Sequence, residues 1–352
     1  MLVRLKRSFG FVSCLAMLGA GCNLSLDAKG DVDDAIDKLP DVDDLTNIKI
    51  CGDETLQDLL KADGLSDDCR NKVESFLPDP QSSFESRIAV LDDSLEPTTG
   101  ARTVYFVAAD AQGNAIYPSS ASELTVSVMV EGSAKILVEG EFSFELPQTG
   151  NLLSLAVVND YSASMRDADL DDVAEIEHDL FTYLPPIYES EVYQFSEMVS
   201  LKQDFTVDEN ALLSAVAKDP TYNRQSTALY DGMGAALDTL RPRTPPIQVL
   251  LVSTDGQENA STMVMEPELL SEITDSKVFV IMLGALFADV PELKRLAGDR
   301  GIYVYARGYG RLKSAVKGLL ESFQHVGALH LPPQYAKGPV TVSFAGQTIT
   351  LQ

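Results

Sequence analysis

The chain has 352 residues, of which 45% are hydrophobic and 23% charged, so it can bury a full core and divides most naturally into two or three domains. Against 27 Lys and Arg stand 53 Asp and Glu, which gives a formal charge of -26. A surface this acidic repels nucleic acids and anionic lipid headgroups, which excludes polyanion binding. Three His and no Trp leave little material for histidine-based metal catalysis or an indole-lined ligand cage.

The first 21 residues have the pattern of an export signal. Three basic residues within the first seven positions precede an apolar run, Phe9–Ala20, that is too short to span a bilayer. The run ends in small residues before Cys22, and this resembles a bacterial lipoprotein signal, in which such a Cys is lipidated and becomes the mature N-terminus. The resemblance implies a lipid-anchored protein of the bacterial cell envelope, and Asn23 favours the outer membrane. The alternative is ordinary signal peptidase cleavage with Cys22 incidental.

Residues 22–48 are rich in aspartate, with eight Asp between Leu26 and Leu45. Such a density of like charges predicts a solvated tether. Calcium binding is the alternative, but no Asp-rich frame here has Gly at its sixth position or Glu at its twelfth.

Residues 49–80 contain Cys51 and Cys69 with several leucines between them, which favours a small helical segment. In an oxidising envelope the two thiols are expected to form a disulfide that constrains the unfolded chain. The alternative is two free buried thiols.

Residues 86–148 change to short β runs separated by turn residues, such as Val104–Ala108 and Leu124–Val130. A C-terminal β hairpin is predicted within residues 328–352, where Val340–Leu351 alternates at period two around an Ala-Gly turn. Each piece is too small to bury a sheet face alone, so we expect them to pack together as one antiparallel β domain.

Between these pieces, residues 150–325 alternate strands and helices. Four runs are almost continuously apolar, as strands buried on both faces must be: Leu152–Val158, Gln248–Ser253, Val278–Leu283 and Ile302–Ala306. Helical spacing follows Leu229 and again Leu312. The fold class predicted is α/β: an open, mostly parallel, doubly wound Rossmann-like sheet with an accessory antiparallel β domain. The α/β domain is expected to be inserted into a loop of that β domain. Ligands of such sheets bind at the carboxyl ends of the strands.

Oxygen-bearing side chains gather at that edge. The first strand runs into Asp160, Ser162 and Ser164, a later loop places Thr227 at a helix start, and another strand ends before Asp255. Hydroxyls with one or two carboxylates suit a hard divalent cation such as Mg²⁺. For any single loop, helix capping by Ser, Thr or Asp is as good an explanation. Asp231, one helical turn beyond Thr227, is expected to be a structural partner.

At these residues the sequence resembles the von Willebrand factor type A (VWA) domain, which carries DxSxS, a Thr and a second Asp in this order. The resemblance covers about residues 150–325 and implies a metal-ion-dependent adhesion site with five ligands, direct or through water: Asp160, Ser162, Ser164, Thr227 and Asp255. It implies Mg²⁺, with Mn²⁺ or Ca²⁺ as alternatives, and a protein partner that supplies an acidic residue to the metal.

Three classes of function follow. The first is a lipid-anchored envelope protein that binds a protein partner through its metal. The second is an enzyme, which the sequence argues against, because His178, His325 and His330 are scattered and no hydrolase or phosphate-binding motif is present. The third is an envelope scaffold that binds through its β domain and keeps a structural or vestigial metal site.

Overall fold

The computed structural model describes residues 49–51, 54–55, 81–147, 151–165, 167–183, 188–217, 226–255, 258–285, 288–306 and 308–352. The chain forms two compact units, residues 1–73 and 74–352. The predicted signal, the tether, Cys22 and Cys69 lie outside the described residues. Within these ranges no helix combines the length and the apolar character that a membrane crossing requires.

In the first unit, strands β1 (Lys49–Cys51) and β2 (Glu54–Thr55) form an antiparallel pair. The expectation of a helical segment over residues 49–80 is therefore wrong for these five residues. Ile50 and Thr55 are β-branched, which favours the extended backbone. The disulfide between Cys51 and Cys69 stays a prediction.

The second unit holds the remaining strands and all the helices of the described residues. Its strands are β3 (Gln81–Ser82), β4 (Arg87–Leu95), β5 (Arg102–Ala109), β6 (Ala115–Ile116), β7 (Thr125–Val130), β8 (Ser133–Ile136), β9 (Ser143–Glu145), β10 (Leu153–Asp160), β11 (Tyr188–Phe195), β12 (Val199–Thr206), β13 (Ile247–Thr254), β14 (Phe279–Ala285), β15 (Ile302–Ala306), β16 (Gly327–Leu331), β17 (Val340–Phe344) and β18 (Gln347–Leu351). Its α-helices are α1 (Asp167–Tyr183), α2 (Glu209–Val216), α3 (Leu229–Leu240), α4 (Glu266–Asp275), α5 (Val290–Ala297) and α6 (Tyr309–Ser322).

A seven-stranded sheet forms the α/β region, in the order β12-β11-β10-β13-β14-β15-β3. The five strands from β11 to β15 along this order are parallel, and β12 and β3 are antiparallel edges. All four apolar runs are strands, as predicted, because their side chains are buried on both faces. From β10 the chain proceeds to β11 on one side and later to β13 on the other, so the strand order reverses between β10 and β13.

Helices cover this sheet with apolar faces. Leu229, Met233 and Leu237 of α3 are fully buried, at the spacing that the sequence predicted. Helix α1 begins at Asp167 with a second acidic residue, Asp169, in its first turn, where carboxylates favour the positive end of the helix dipole.

The β region is a pair of antiparallel sheets with an apolar core between them. One sheet has the order β4-β5-β16-β9, and the other has the order β18-β17-β7-β8. The C-terminal hairpin pairs with β7 in the register Val340↔Val128, as expected from the size of the separate pieces. Segments on either side of the α/β region therefore share one core.

Helix α6 packs closely on the β region. A side chain at Gly318 would meet the carbonyl oxygen of Gly113 at 1.9 Å, so only glycine permits this approach. The ring of His325, just after α6, stacks on Tyr117 with ring centroids 3.6 Å apart. On β4, the Arg87 guanidinium donates hydrogen bonds to the carbonyl oxygens of residues 299–301. These contacts make the β region and the α/β region one unit.

Candidate metal centre

The candidate site lies at the carboxyl edge of the sheet, where the strand order reverses. Asp160 is the last residue of β10, and Asp255 directly follows β13. The two strands are parallel neighbours in the register Asn159↔Ser253, so their ends meet. Both carboxylates are fully buried.

Hydrogen bonds from Ser162 and Thr254 help to fix Asp160. Its Oδ1 accepts from the backbone N–H of Ser162 at 2.7 Å, and its Oδ2 accepts from the Thr254 hydroxyl at 2.6 Å. The first bond folds the loop after β10 back over the strand end. The second ties the carboxylate to the neighbouring strand β13.

The two serines connect this loop to Asp255. The hydroxyl oxygens of Ser162 and Ser164 are 2.9 Å apart, and the Ser164 hydroxyl donates to Asp255 Oδ1 at 2.7 Å. Three of the five predicted residues therefore form one chain of oxygens at the strand ends, and Asp160 is joined to it through the Ser162 N–H. The alternation of the DxSxS pattern places both hydroxyls on the same side of the loop.

Backbone hydrogen bonds hold the loop of Thr227 next to this chain of oxygens. The peptide N–H of Ala228 donates to the carbonyl of Ser196 at 2.7 Å, and Tyr161 N–H donates to the carbonyl of Phe195 at 2.7 Å. The Thr227 loop and the Asp160 loop are thus held against the same end of β11. Thr227 itself is buried, and its N–H donates to Asn259 Oδ1 at 2.9 Å.

Asp231 has the structural role expected of it. Its carboxylate accepts hydrogen bonds from three successive backbone N–H groups: Thr262 at 2.9 Å, Met263 at 3.0 Å and Val264 at 2.8 Å. It fixes the loop after β13 to the first turn of α3.

The site is electrostatically costly without a cation. Burial raises the pKa of Asp160, and the hydrogen bonds from Ser162 and Thr254 oppose this rise. The buried Tyr309 hydroxyl has a raised pKa, chiefly from burial and then from the negative charge of Asp255 and Asp160. A bound divalent cation would compensate the two carboxylates and relieve this repulsion.

The donor set fits a hard cation. Two carboxylates and three neutral hydroxyls supply only oxygen, which Mg²⁺, Mn²⁺ and Ca²⁺ prefer over softer ligands. The described residues contain no group of three or more His, Cys, Asp and Glu able to hold a metal. Asp160, Ser162, Ser164, Thr227 and Asp255 are the residues that would hold the ion.

Sequence reasoning missed several supporting residues. Thr254 and Asn259 hold Asp160 and Thr227, although neither belongs to the motif. Glu177 of α1 is buried, and neither of its carboxylate oxygens has a hydrogen-bond partner. Only the helical period of α1, which puts Glu177 on the same face as Val173 and Leu180, signals this burial in the sequence.

Comparison with known proteins agrees with this geometry. The family profile of the von Willebrand factor type A domain matches residues 154–317. None of the curated proteins matches the chain.

Three solved structures are similar. Proximal thread matrix protein 1 from the mussel byssus is 16% identical, with a TM-score of 0.44, covering 50% of this chain and 49% of that one. BatB from Bacteroides thetaiotaomicron is 16% identical, with a TM-score of 0.40, covering 47% and 95%. The vWF domain of the type V pili tip protein Mfa5 from Porphyromonas gingivalis is 10% identical, with a TM-score of 0.41, covering 49% and 95%. The chain thus spans about half the length of the mussel protein.

The family match coincides with the α/β region and includes all five candidate ligands. The chain therefore contains a von Willebrand factor type A domain, accompanied by an antiparallel β region built from the segments before and after it.

Proposed function

We propose that the VWA domain binds one divalent cation, Mg²⁺ or in its place Mn²⁺ or Ca²⁺, in a metal-ion-dependent adhesion site formed by the five candidate ligands. We also propose that a protein partner supplies an acidic residue to this ion. The single observation that carries it is the hydrogen-bonded chain from Ser162 through Ser164 to Asp255, next to the buried Asp160. When bound, the cation supplies a positive centre that attracts a carboxylate.

Calorimetric titration with Mg²⁺ tests the metal. The wild type should bind one ion per chain. Asp160→Ala and the double variant Ser162→Ala/Ser164→Ala should lose more than the roughly 10–100-fold typical of outer-shell changes at metal sites. Asp231→Asn is the matched control, since it alters a buried carboxylate of the same edge that we place outside the ion's shell. Equal titration of the wild type and Asp160→Ala would contradict the metal site.

We infer a non-catalytic role as part of the same proposal. His178 is exposed on α1, His325 stacks on Tyr117, and His330 Nδ1 lies 3.1 Å from the Thr103 hydroxyl in the β region. These contacts do not involve the candidate ligands, which supports a role without an imidazole acid or base at the metal edge.

We further propose that the protein resides in the bacterial cell envelope. The sheet edge that carries the candidate ligands would be accessible there to another protein. Lipidation of Cys22 and anchoring in a bilayer are supported by the basic and apolar pattern of the first 21 residues. Cys22→Ser should move the protein from the membrane fraction to the soluble fraction. A wild-type protein that is already soluble after fractionation would refute the anchor.

A further inference from the structure

Two methionines at the metal edge are among the most exposed large apolar side chains of the described residues. Met198 is 75% exposed and Met263 is 71% exposed, and the others nearest to them in this group are Val207 at 74%, Ile136 at 66% and Val138 at 64%. What distinguishes these two residues is not their exposure alone but their position beside the loops of the candidate site.

Met198 lies at the tip of the hairpin between β11 and β12. The last residue of β11, Phe195, is level with Asp160 in the parallel register. The tip closes by a hydrogen bond from Ser196 N–H to the Met198 carbonyl at 3.1 Å, and the Ser196 carbonyl accepts from Ala228, the neighbour of Thr227. Met198 therefore stands next to the candidate metal loops on the β11 side.

Met263 belongs to a second segment that is tied to the Thr227 loop. The segment that precedes it is fixed to that loop, since Asn259 N–H donates to the Thr227 carbonyl at 3.0 Å. The Met263 N–H itself is held by Asp231 Oδ1 at 3.0 Å, in the first turn of α3. The backbone at Met263 is thus anchored while its side chain remains in solvent.

Val207 provides the contrast. It follows Thr206, which pairs with Ser190 near the beginning of β11, so it lies toward the opposite edge of the sheet. An exposed apolar residue there has no connection with the metal loops. Single exposed apolar residues are common on protein surfaces, but Met198 and Met263 differ because both lie on segments hydrogen-bonded to the loops of one candidate site.

We propose that Met198 and Met263 form an apolar rim that selects the partner's metal-binding residue by its neighbours. This inference rests on the proposed function. The favoured ligand is a protein segment with one Asp or Glu bracketed by aliphatic or aromatic side chains, against which the flexible thioethers pack. The exposed Glu197 beside Met198, in a chain of formal charge -26, favours Lys or Arg outside the apolar neighbours.

The test is a peptide library with a fixed central Asp and random flanks, selected on the full-length protein in Mg²⁺ and eluted with EDTA. On the wild type, apolar residues should be enriched next to the Asp. For the peptides recovered, Met198→Ser/Met263→Ser should weaken binding at least about tenfold, with Mg²⁺ affinity unchanged by calorimetry. Val207→Ser, the matched control, should bind like the wild type.

Four outcomes overturn the inference. Peptides that elute with EDTA but carry no apolar enrichment, or that bind the double methionine variant as tightly as the wild type, refute the rim and leave metal-dependent adhesion intact. Binding that EDTA does not release, or no recovered peptides at all, refutes the proposed function and the rim with it.

Discussion

The α/β region and the β region of this chain bury different chemistry. Among the described residues, every buried polar or charged side chain belongs to the α/β region except Asp92 and Arg102. The β region instead fills the space between its two sheets with aliphatic and aromatic side chains. Buried polar groups reduce stability unless they are paired, so the cluster of them at the carboxyl ends of β10 and β13 indicates function, and the apolar sandwich indicates support.

The largest effect on stability is expected from a substitution in the apolar core of the β region. Phe106 is buried between the sheets, with its ring centroid 6.1 Å from that of Phe144. Phe106→Ala should lower the free energy of unfolding by about 3–5 kcal/mol, measured by urea denaturation, because it leaves a cavity. Leu95→Ala, at an exposed position of β4, should change it by no more than about 0.5 kcal/mol. Loss of Mg²⁺ binding by the folded Phe106→Ala protein would show that metal binding depends on the core of the β region, contrary to this comparison.

The next effect is a pH dependence that originates in the α/β region. Burial raises the pKa of Glu177 to about 8, and the Asn159 side chain, near it but outside hydrogen-bond geometry, opposes the rise. The folded protein then keeps this proton while the unfolded chain releases it above its ordinary pKa of about 4.3, so stability falls as the pH rises from there to about 8.

Glu177→Gln removes this penalty, since an amide does not ionise. The variant should be more stable than the wild type by a few kcal/mol at pH 8, with the difference shrinking toward pH 5, as measured by thermal unfolding at both pH values. Glu175→Gln is the control on the same helix, where the carboxylate is exposed and pairs with Lys313. A difference between Glu177→Gln and the wild type that is constant with pH would show that Glu177 is ionised in the folded protein.

The smallest effect on stability is expected at Arg102, one of the two buried charged residues described in the β region. Arg102 is buried but fully engaged: it donates to both carboxylate oxygens of Asp93 at 2.7 and 2.6 Å and to the carbonyls of Gly338 and Gln352. Arg102→Met should cost about 1–3 kcal/mol in urea denaturation, because Asp93 and two carbonyls lose a charged donor. Mg²⁺ affinity should stay constant, and a parallel fall would show that the β region shapes the site.

The sequence predicted those strands in which the buried residues are apolar, because polarity and burial then agree. The buried strands β10, β13, β14 and β15 are apolar and were predicted. Strand β11 was not predicted, because Glu189, Ser190 and Glu191 occupy buried positions. Their hydrogen-bond partners are distant in the sequence, such as Arg243 with Glu189 at 2.6 Å and Thr239 with Glu191 at 2.6 Å, and local periodicity contains no sign of these contacts.

The same distinction applies to the site. Asp160, Ser162 and Ser164 lie within five residues, so their pattern is visible in the sequence, and the structure joins them to Asp255. The supporting contacts of Thr254 and Asn259 cross between loops that are about 30 to 90 residues apart, as the hydrogen-bonded pairs show. Such contacts depend on the register of parallel strands, which pattern alone does not set.

The most direct measurement is a crystal structure of the protein grown with Mn²⁺, with the ion located by its anomalous scattering. We expect one strong peak at the carboxyl edge of the sheet, surrounded by the oxygens of Asp160, Ser162, Ser164, Thr227 and Asp255, directly or through water. The peak should disappear in crystals of Asp160→Ala. A peak at another place on the chain, or no peak at the strand ends of the wild type, would contradict the metal site.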